Sequence, residues 1–282
     1  MTDRIPIPQA VRRLHFCNGS GRRAGVVLAV FVAAASLLAG PHASAREILK
    51  IGVSYVPPEP RITDTRLYTE EGFELDLGRD IGKSLQREVV FIQVADGDRQ
   101  KALVEGVVDL TIGSEVGSRA QDGRTFLAGA SAGLSVAMRS DTAIRQWSDL
   151  RGKTVCIAQA NERSRKLARD LGAKVREERA PARSLMWVRT GDCDAAIHEK
   201  PVLDRLFSEK NWQKFSATLP PEAPASLTVN VAPQVPEALA GAVGQAVSGF
   251  NTKEGWHTRI GRWAANVAFE VYLDQEAPDC HG

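Results

Sequence analysis

The hydrophobic pattern of the chain predicts short strands that alternate with helices. Residues 48–53, 89–94 and 107–112 are apolar runs of strand length. Between the first two runs, apolar residues recur every four positions over 73–85, which is the spacing of one helix face. Residues 98–105 form a second helical segment that ends at a glycine. The order strand, helix, strand, helix, strand is typical of a parallel α/β unit.

The same order of elements returns later in the chain. Strands are predicted at 153–158, 174–178 and 193–197, with helices at 162–171 and 181–190 between them. In both units a glycine ends the second helix, and an aspartate follows three residues later at the start of the third strand. The repetition predicts two similar, doubly wound α/β lobes.

Two further apolar segments, 134–139 and 227–231, flank the second unit and are interpreted as extended connections. If the chain crosses at these segments, residues 46–136 and 232–282 form the first lobe and residues 137–231 form the second. Two strands that join two lobes make a hinge, and the cleft between the lobes is where small ligands bind.

The N-terminal residues 1–45 have the pattern of a cleaved signal peptide. Arginines precede an uncharged, mostly apolar run at 24–39, and the segment ends in Ala-Ser-Ala at 43–45. The alternative is a membrane anchor, but the run falls short of the roughly 20 residues that span a bilayer. We therefore expect export to the periplasm.

Composition and charge exclude several classes of protein. The chain has 282 residues, of which 43% are apolar and 25% are charged, an ordinary globular composition. Removal of residues 1–45 takes away five Arg and one Asp, which changes the net charge from +2 to −2. Nucleic-acid binders usually carry a basic excess, so no nucleic-acid partner is expected.

The sequence has no catalytic motif that we recognise. His-Glu-x-x-His, Gly-x-Ser-x-Gly, the P-loop and the dinucleotide fingerprint are all missing, and the histidines lack metal-ligand spacing. His198 is interpreted as a packed or solvated residue rather than a catalytic base. The chain is expected to be neither an enzyme nor a metalloprotein, and no cofactor is expected.

Several motifs resemble one family when they are taken in order. They lie at 72–77 (Gly-Phe-Glu-Leu-Asp-Leu), 103–113, 147–158, 191–199 and 236–263. Together they cover roughly residues 48–265 and resemble the family 3 extracellular solute-binding proteins, which serve ABC importers of polar amino acids. The resemblance implies a type II periplasmic binding protein of the Venus-flytrap kind. It also implies a monomer that binds a small molecule, an amino acid or a small organic acid, and docks on a membrane ABC permease.

The resemblance also implies a set of ligand-binding residues. In the family an arginine in the loop after the third strand of the first lobe holds the ligand carboxylate, and Arg119 is the best match, with Arg124 as the alternative. Backbone amides of the same loop, here at Gly113 and Ser114, assist. The family's partner for the ligand ammonium corresponds to Glu199, whose alternative role is that of a surface glutamate.

Parts of the family pattern are replaced in this chain. Only Tyr55 is available to stack on a ligand near the first strand, and the aromatic pair after the arginine loop is missing. The Gly-Ser-Thr turn of the second lobe is replaced by a turn in which Asn161 can cap the next helix and present backbone amides to an anion. The ligand set is therefore only half present.

These departures keep two other functions open. The first is an accessory protein of periplasmic quinoprotein dehydrogenases, or a sensor module, on the same fold. The second is an enzyme resembling the periplasmic dehydratases, which would need an acid in the cleft, either Glu199 or Glu115.

The cysteines predict one disulfide bond. Cys156 lies in the first strand of the second lobe and Cys193 opens its third, and those strands are expected neighbours. Some broad-specificity amino-acid-binding relatives carry cysteines at these two places. The alternative is two buried free thiols, but an exported protein favours the bridge. Cys280 would remain as the odd thiol.

Overall fold

The computed structural model describes residues 47–59, 67–70, 72–115, 124–131 and 133–274, which lie in one compact unit. The predicted signal peptide at 1–45, Arg119 and Cys280 lie outside the described residues. The strands are β1 Ile48–Val53, β2 Glu88–Gln93, β3 Leu110–Glu115, β4 Thr125–Ser131, β5 Leu134–Ala137, β6 Thr154–Ala158, β7 Lys174–Glu178, β8 Ala195–Glu199 and β9 Ala225–Val231. The helices are α1 Glu74–Leu85, α2 Arg99–Val104, α3 Glu162–Asp170, α4 Pro181–Thr190, α5 Lys200–Phe207, α6 Glu237–Phe250 and α7 Lys253–Leu273.

The strands form two sheets with matching orders. The first sheet is ordered β2-β1-β3-β9-β4 and the second β7-β6-β8-β5. In each sheet the three predicted strands are parallel, and an antiparallel strand joins beside the third of them. The predicted fold class, two α/β lobes, is confirmed. Strand β4 was not predicted from the sequence, and a helix after Glu199, where α5 begins, was considered only as the alternative role of that residue.

The repeated aspartate has the same structural role in both lobes. The Asp109 carboxylate accepts a hydrogen bond from the Lys50 backbone N–H at 2.8 Å, and the Asp109 N–H donates to the Lys50 carbonyl at 2.9 Å. Asp194 makes the same two bonds with Thr154, at 2.8 and 2.9 Å. Each aspartate thus ties the start of the third strand to the first strand, which explains why the motif occurs twice.

The hinge lies a few residues away from the predicted crossings. The chain leaves the first sheet after Ser131, which pairs with Ala225, and enters the second at Leu134, which pairs with Glu222. The segments interpreted as connections are therefore sheet strands, β5 in the second lobe and β9 in the first. They are apolar because they are buried inside the sheets, so the predicted limits 137–231 of the second lobe need correction.

The C-terminal helices divide between the lobes, whereas the sequence predicted that all of 232–282 returns to the first. Helix α6 packs on the first lobe through its buried apolar face. Helix α7 places Trp263, Val267 and Val271 in the core of the second lobe, beside α4 and α5. It also touches the first lobe, where Trp256 packs against Phe73 with ring centroids 4.9 Å apart and ring planes tilted by 57°. The first turn of α7 packs on the first lobe and its later turns pack on the second, so the helix spans both lobes.

The predicted disulfide is confirmed. Cys156 of β6 and Cys193, just before β8, are bonded with their Cα atoms 5.9 Å apart, and both are buried. The bridge lies in the core that α4, α5 and α7 share. Across the ranges that the structure covers, no helix combines the length and the apolar character that a bilayer span requires.

Candidate functional site

A polar cleft lies where strands of both lobes end. The carboxyl ends of β1 and β3 meet those of β6 and β8 around a cavity of about 40 Å³. Side chains from both lobes reach it, including Ser54, Arg99 and Ser114 of the first lobe and Asn161, Arg163 and Glu199 of the second. An adjoining cavity of about 280 Å³ is lined mainly by the first lobe. Ligands of open α/β sheets bind at such strand ends.

Arg99 is a buried arginine on the first-lobe wall of the cleft. It begins α2, and only 6% of the residue is exposed. Its Nη2 donates to the hydroxyl of Ser54 and lies 2.6 Å from a carboxylate oxygen of Asp96, while Ser54 donates to the same oxygen at 2.7 Å. Its Nε is buried and has no hydrogen-bond partner among the residues described. Burial of a charged N–H without a partner is costly, so this donor is suited to an added acceptor.

Gly113 makes room for the Arg99 guanidinium. A Cβ at Gly113 would lie 2.0 Å from Nη1 of Arg99, so only glycine allows the side chain to cross the strand end. Ser114, the next residue of β3, lines the small cavity. Of the two predicted loop residues, Ser114 therefore lines the cleft, whereas Gly113 lies beside the Arg99 guanidinium.

The second-lobe wall carries an ion pair. Nη1 of Arg163 lies 2.7 Å from Oε1 of Glu199, and the two side chains are only 12% and 18% exposed. Nη2 of Arg163 also donates to the carbonyl of Ala223. Asn161 caps α3 as predicted, since its Oδ1 accepts from the Ser164 N–H at 2.9 Å. The carboxylate predicted to receive a ligand ammonium is thus already engaged by an arginine.

Tyr55 connects the two walls. Its hydroxyl lies 3.4 Å from Oε1 of Gln159 in the second lobe, and the residue lines the larger cavity. Burial raises the pKa of the Tyr55 hydroxyl, and the nearby charge of Glu70 raises it further. The phenol therefore keeps its proton and acts as a donor in the cleft.

Two glutamates at the cleft have raised pKa values. Burial is the main cause at Glu74, while hydrogen bonds from the backbone N–H groups of Phe73 and Glu74 and the charge of Arg99 act in the opposite direction. The Glu74 carboxyl is folded back over Gly72 at the start of α1. Burial also raises the pKa of Glu70, with Arg179 opposing it. Both carboxyls are shifted toward their neutral forms.

The alternative anchor Arg124 does not face the cleft. Its Nη1 donates to the carbonyls of Ala232 and Val235 at 2.9 and 3.0 Å, and its Nη2 lies 3.0 Å from Glu237. These partners follow β9, whose last residue pairs with the start of β3. They therefore lie at the opposite end of the sheet from the strand ends that line the cleft. The alternative prediction is therefore corrected, because Arg124 is a structural residue that stabilises the connection between β9 and α6.

Sequence reasoning missed Arg99, Arg163 and Glu74. Arg99 begins α2 and Arg163 lies two residues after the cap residue Asn161, so their positions at helix starts were the available signal. Asp96 precedes Arg99 by only three positions, but the contacts that build the cleft are distant in sequence, because Ser54 and Arg99 are 45 positions apart and Arg163 and Glu199 are 36 apart. The ligand-binding roles of Tyr55, Ser114, Asn161 and Glu199 stay predictions.

His198 is packed, as interpreted from the sequence. It is fully buried in β8, and its Nε2 lies 2.6 Å from the hydroxyl of Ser184, which is also fully buried. Ser184 in turn donates to the Pro181 carbonyl at 2.9 Å, so the pair lies inside the second lobe and away from the cleft. Among the described residues there is no group of three or more histidines, cysteines or acids that could hold a metal ion.

Several solved binding proteins align with this chain over most of their length. A substrate-binding protein of an amino acid ABC transporter matches at 17% identity, covering 77% of this chain and 98% of the other, with a TM-score of 0.44. The GluR0 ligand-binding core from Nostoc punctiforme, in complex with L-glutamate, matches at 19% identity over 77% and 98%, with a TM-score of 0.49. This chain is similar to these binding proteins.

An ancestral amino-acid-binding protein, described as a precursor of cyclohexadienyl dehydratase, matches at 19% identity over 77% of this chain and 95% of its own, with a TM-score of 0.49. No protein-family model matches the chain, and no curated protein matches it. At these identities and TM-scores the likenesses do not identify a ligand. The two-lobe fold rests on the sheets and crossings of the chain itself.

Proposed function

We propose that this chain is a solute-binding protein that captures a small polar solute, an amino acid or a small organic acid, between its lobes. The observation that carries the proposal is a cleft with an incompletely bonded arginine on each wall, Arg99 on one lobe and Arg163 on the other. A solute that touches both walls stabilises the closed arrangement of the lobes, because it makes both sets of contacts only there.

The captured solute would be delivered to a membrane ABC permease. The signal-peptide pattern of residues 1–45 supports export to the periplasm, and the bond between Cys156 and Cys193 fits an oxidising compartment. In this role the protein works as a monomer and needs no cofactor. The motifs that resemble family 3 solute-binding proteins favour transport over the accessory and sensor alternatives.

A thermal-shift screen of residues 46–282 against amino acids and small organic acids tests the proposal. A ligand at 100 times its dissociation constant stabilises by about 2.7 kcal/mol, which for a chain of this size raises the melting temperature by roughly 5–10 °C. Isothermal titration then gives the affinity of each solute that shifts the transition. If no solute in the screen shifts it, the solute-binding function is refuted.

The matched control compares two arginine variants. Arg99→Gln should abolish the shift, because the guanidinium that lines the cleft is lost. Arg139→Gln should keep it, because Arg139 is exposed and pairs with Asp141, also at the surface. Equal loss in both variants would show that the shift does not come from the cleft.

The acids considered for a dehydratase role are both engaged. Glu115 accepts a hydrogen bond from Nδ2 of Asn230 at 3.1 Å, and Glu199 is held by Arg163. Neither carboxylate is presented to the cleft as a proton donor, which favours binding over catalysis. If the chain converted a prephenate-like acid and Glu199→Gln abolished that activity, the enzyme alternative would replace the proposal.

A further inference from the structure

We infer that the cleft selects a carboxylate ligand without an ammonium group, a small organic acid rather than an amino acid. The inference rests on the proposed solute-binding function and narrows its ligand class. Its basis is an imbalance in the small cavity, where each acid already has a partner within the chain while two buried arginines keep unbonded donors.

The second lobe supplies the first part of the imbalance. Glu199 occupies the place expected to receive an ammonium, but Arg163 holds its carboxylate at 2.7 Å. Arg163 is itself fixed by the Ala223 carbonyl and by its position in the first turn of α3. An ammonium would therefore have to compete with a cation that belongs to the same lobe and cannot diffuse away.

The other acids that line the small cavity are also engaged. Asp96 is bound by Arg99 and Ser54, and Glu162 is bound by Arg165. The Glu74 carboxyl is turned back onto the backbone N–H groups at the start of its own helix. A bound ammonium ion loses its water and needs a charged acceptor in its place. Each carboxylate of the small cavity would have to give up a partner within the chain to become that acceptor.

Glu70 is the remaining acid to consider, and it lies on the larger cavity rather than the small one. It is shifted toward its neutral form by burial and by the charge of Glu270, with Arg179 as the opposing cation. A carboxyl in this state attracts an ammonium less than an ionised one does. Glu70 does not line the small cavity, and its shift toward the neutral form weakens its attraction for an ammonium in the larger one.

The two arginines supply the second part of the imbalance. Arg99 is more than nine-tenths buried, and Arg163 is largely buried on the opposite wall. Both Nε atoms are buried without a hydrogen-bond partner in the part of the chain that the structure describes. A carboxylate provides several acceptor sites for guanidinium donors, and the hydroxyls of Ser54 and Ser114 lie on the same cavity.

Titration calorimetry with matched pairs of acids tests the inference. Each pair has the same carbon skeleton with and without the amino group: L-alanine and propionate, L-aspartate and succinate, L-glutamate and glutarate, and L-phenylalanine and phenylpropionate. In each pair that binds, the acid without the amino group should bind at least about tenfold more tightly.

Tighter binding of the amino acids would overturn the inference and leave the solute-binding function intact. Binding of no compound in the panel, with no shift in the wider thermal screen, would overturn both. The two failures are therefore distinguishable.

Two variants test the cause of the selectivity by breaking the same ion pair from opposite sides. Arg163→Gln leaves the Glu199 carboxylate without its arginine and should shift the preference toward the amino acids by about tenfold or more. Glu199→Gln removes the carboxylate and should produce no such shift. Lys166→Gln, which breaks an exposed pair with Asp170 on the same helix, should behave like the wild type.

The comparison remains informative if a variant is unstable. Glu199→Gln and Arg163→Gln lose the same contact, so a general effect of its loss would appear equally in both. An unchanged preference in folded Arg163→Gln, or an equal shift in Glu199→Gln, would overturn the assigned role of the pair.

Discussion

Removal of the disulfide bond should cost the second lobe a defined amount of stability. Cys156 and Cys193 are 37 positions apart, and their bridge joins β6 to the start of β8 inside the core. In the chain-entropy treatment, closing a loop of this length contributes about 4 kcal/mol. For a chain of this size, a loss of that magnitude lowers the melting temperature by roughly 8–16 °C.

The assay is urea denaturation of Cys156→Ala, Cys193→Ala and the double variant, followed by circular dichroism. Each single variant already removes the whole bridge, so the double variant should cost little more than either one. Wild-type protein that is unfolded and refolded in reductant should approach the stability of the variants. The residual difference is the packing of the two sulfur atoms, about 1 kcal/mol per site.

Two results would refute this reasoning. If the two single losses add in the double variant, the cysteines act as independent packed thiols and the bridge does not form. If the double variant loses less than about 1 kcal/mol, then the loop that the bridge closes is already restricted in the unfolded chain.

Three further predictions concern glycine, titration and the repeated aspartate. Gly113→Ala should destabilise the protein by about 1–3 kcal/mol, because its Cβ would collide with the Arg99 guanidinium. Gly97→Ala should be nearly neutral, because nothing lies within 4 Å of its Cβ. Thermal melting compares the two variants, and equal losses of stability would contradict the close approach of Arg99 to Gly113. Burial raises the folded-state pKa of Glu74, so wild-type stability should fall relative to Glu74→Gln as the pH rises above the unfolded value of 4.5. Urea denaturation between pH 4 and 8, from the ordinary carboxyl pKa to just above neutral pH, measures the difference in stability between the two proteins. A difference that does not change with pH would refute the raised pKa of Glu74. Asp109→Ala and Asp194→Ala should each cost about 1 kcal/mol, since each removes one acceptor for a backbone N–H; a cost in one lobe alone, measured by urea denaturation, would contradict the shared role.

The local pattern of the chain was sufficient to predict both α/β units. The strand predicted at 174–178 and the helix predicted at 181–190 match the bounds of β7 and α4. These bounds are predictable because the spacing of apolar residues and a glycine at a helix end depend only on residues a few positions away. The repeated aspartate and the cysteine pair were also readable from sequence, since strand order in a doubly wound lobe makes their strands neighbours.

The charge arrangement of the cleft was decided only by the tertiary structure. Glu199 was expected to face a ligand ammonium, but the fold brings the first turn of α3 to the end of β8, where Arg163 neutralises it. Arg99 gained its place because Gly113 has no side chain to exclude it. Helix α7 likewise crosses to the second lobe, where Trp263, Val267 and Val271 enter its core. Periodicity along the chain determines which residues are buried, whereas the partner of a buried charge depends on which distant strand ends and helix starts converge.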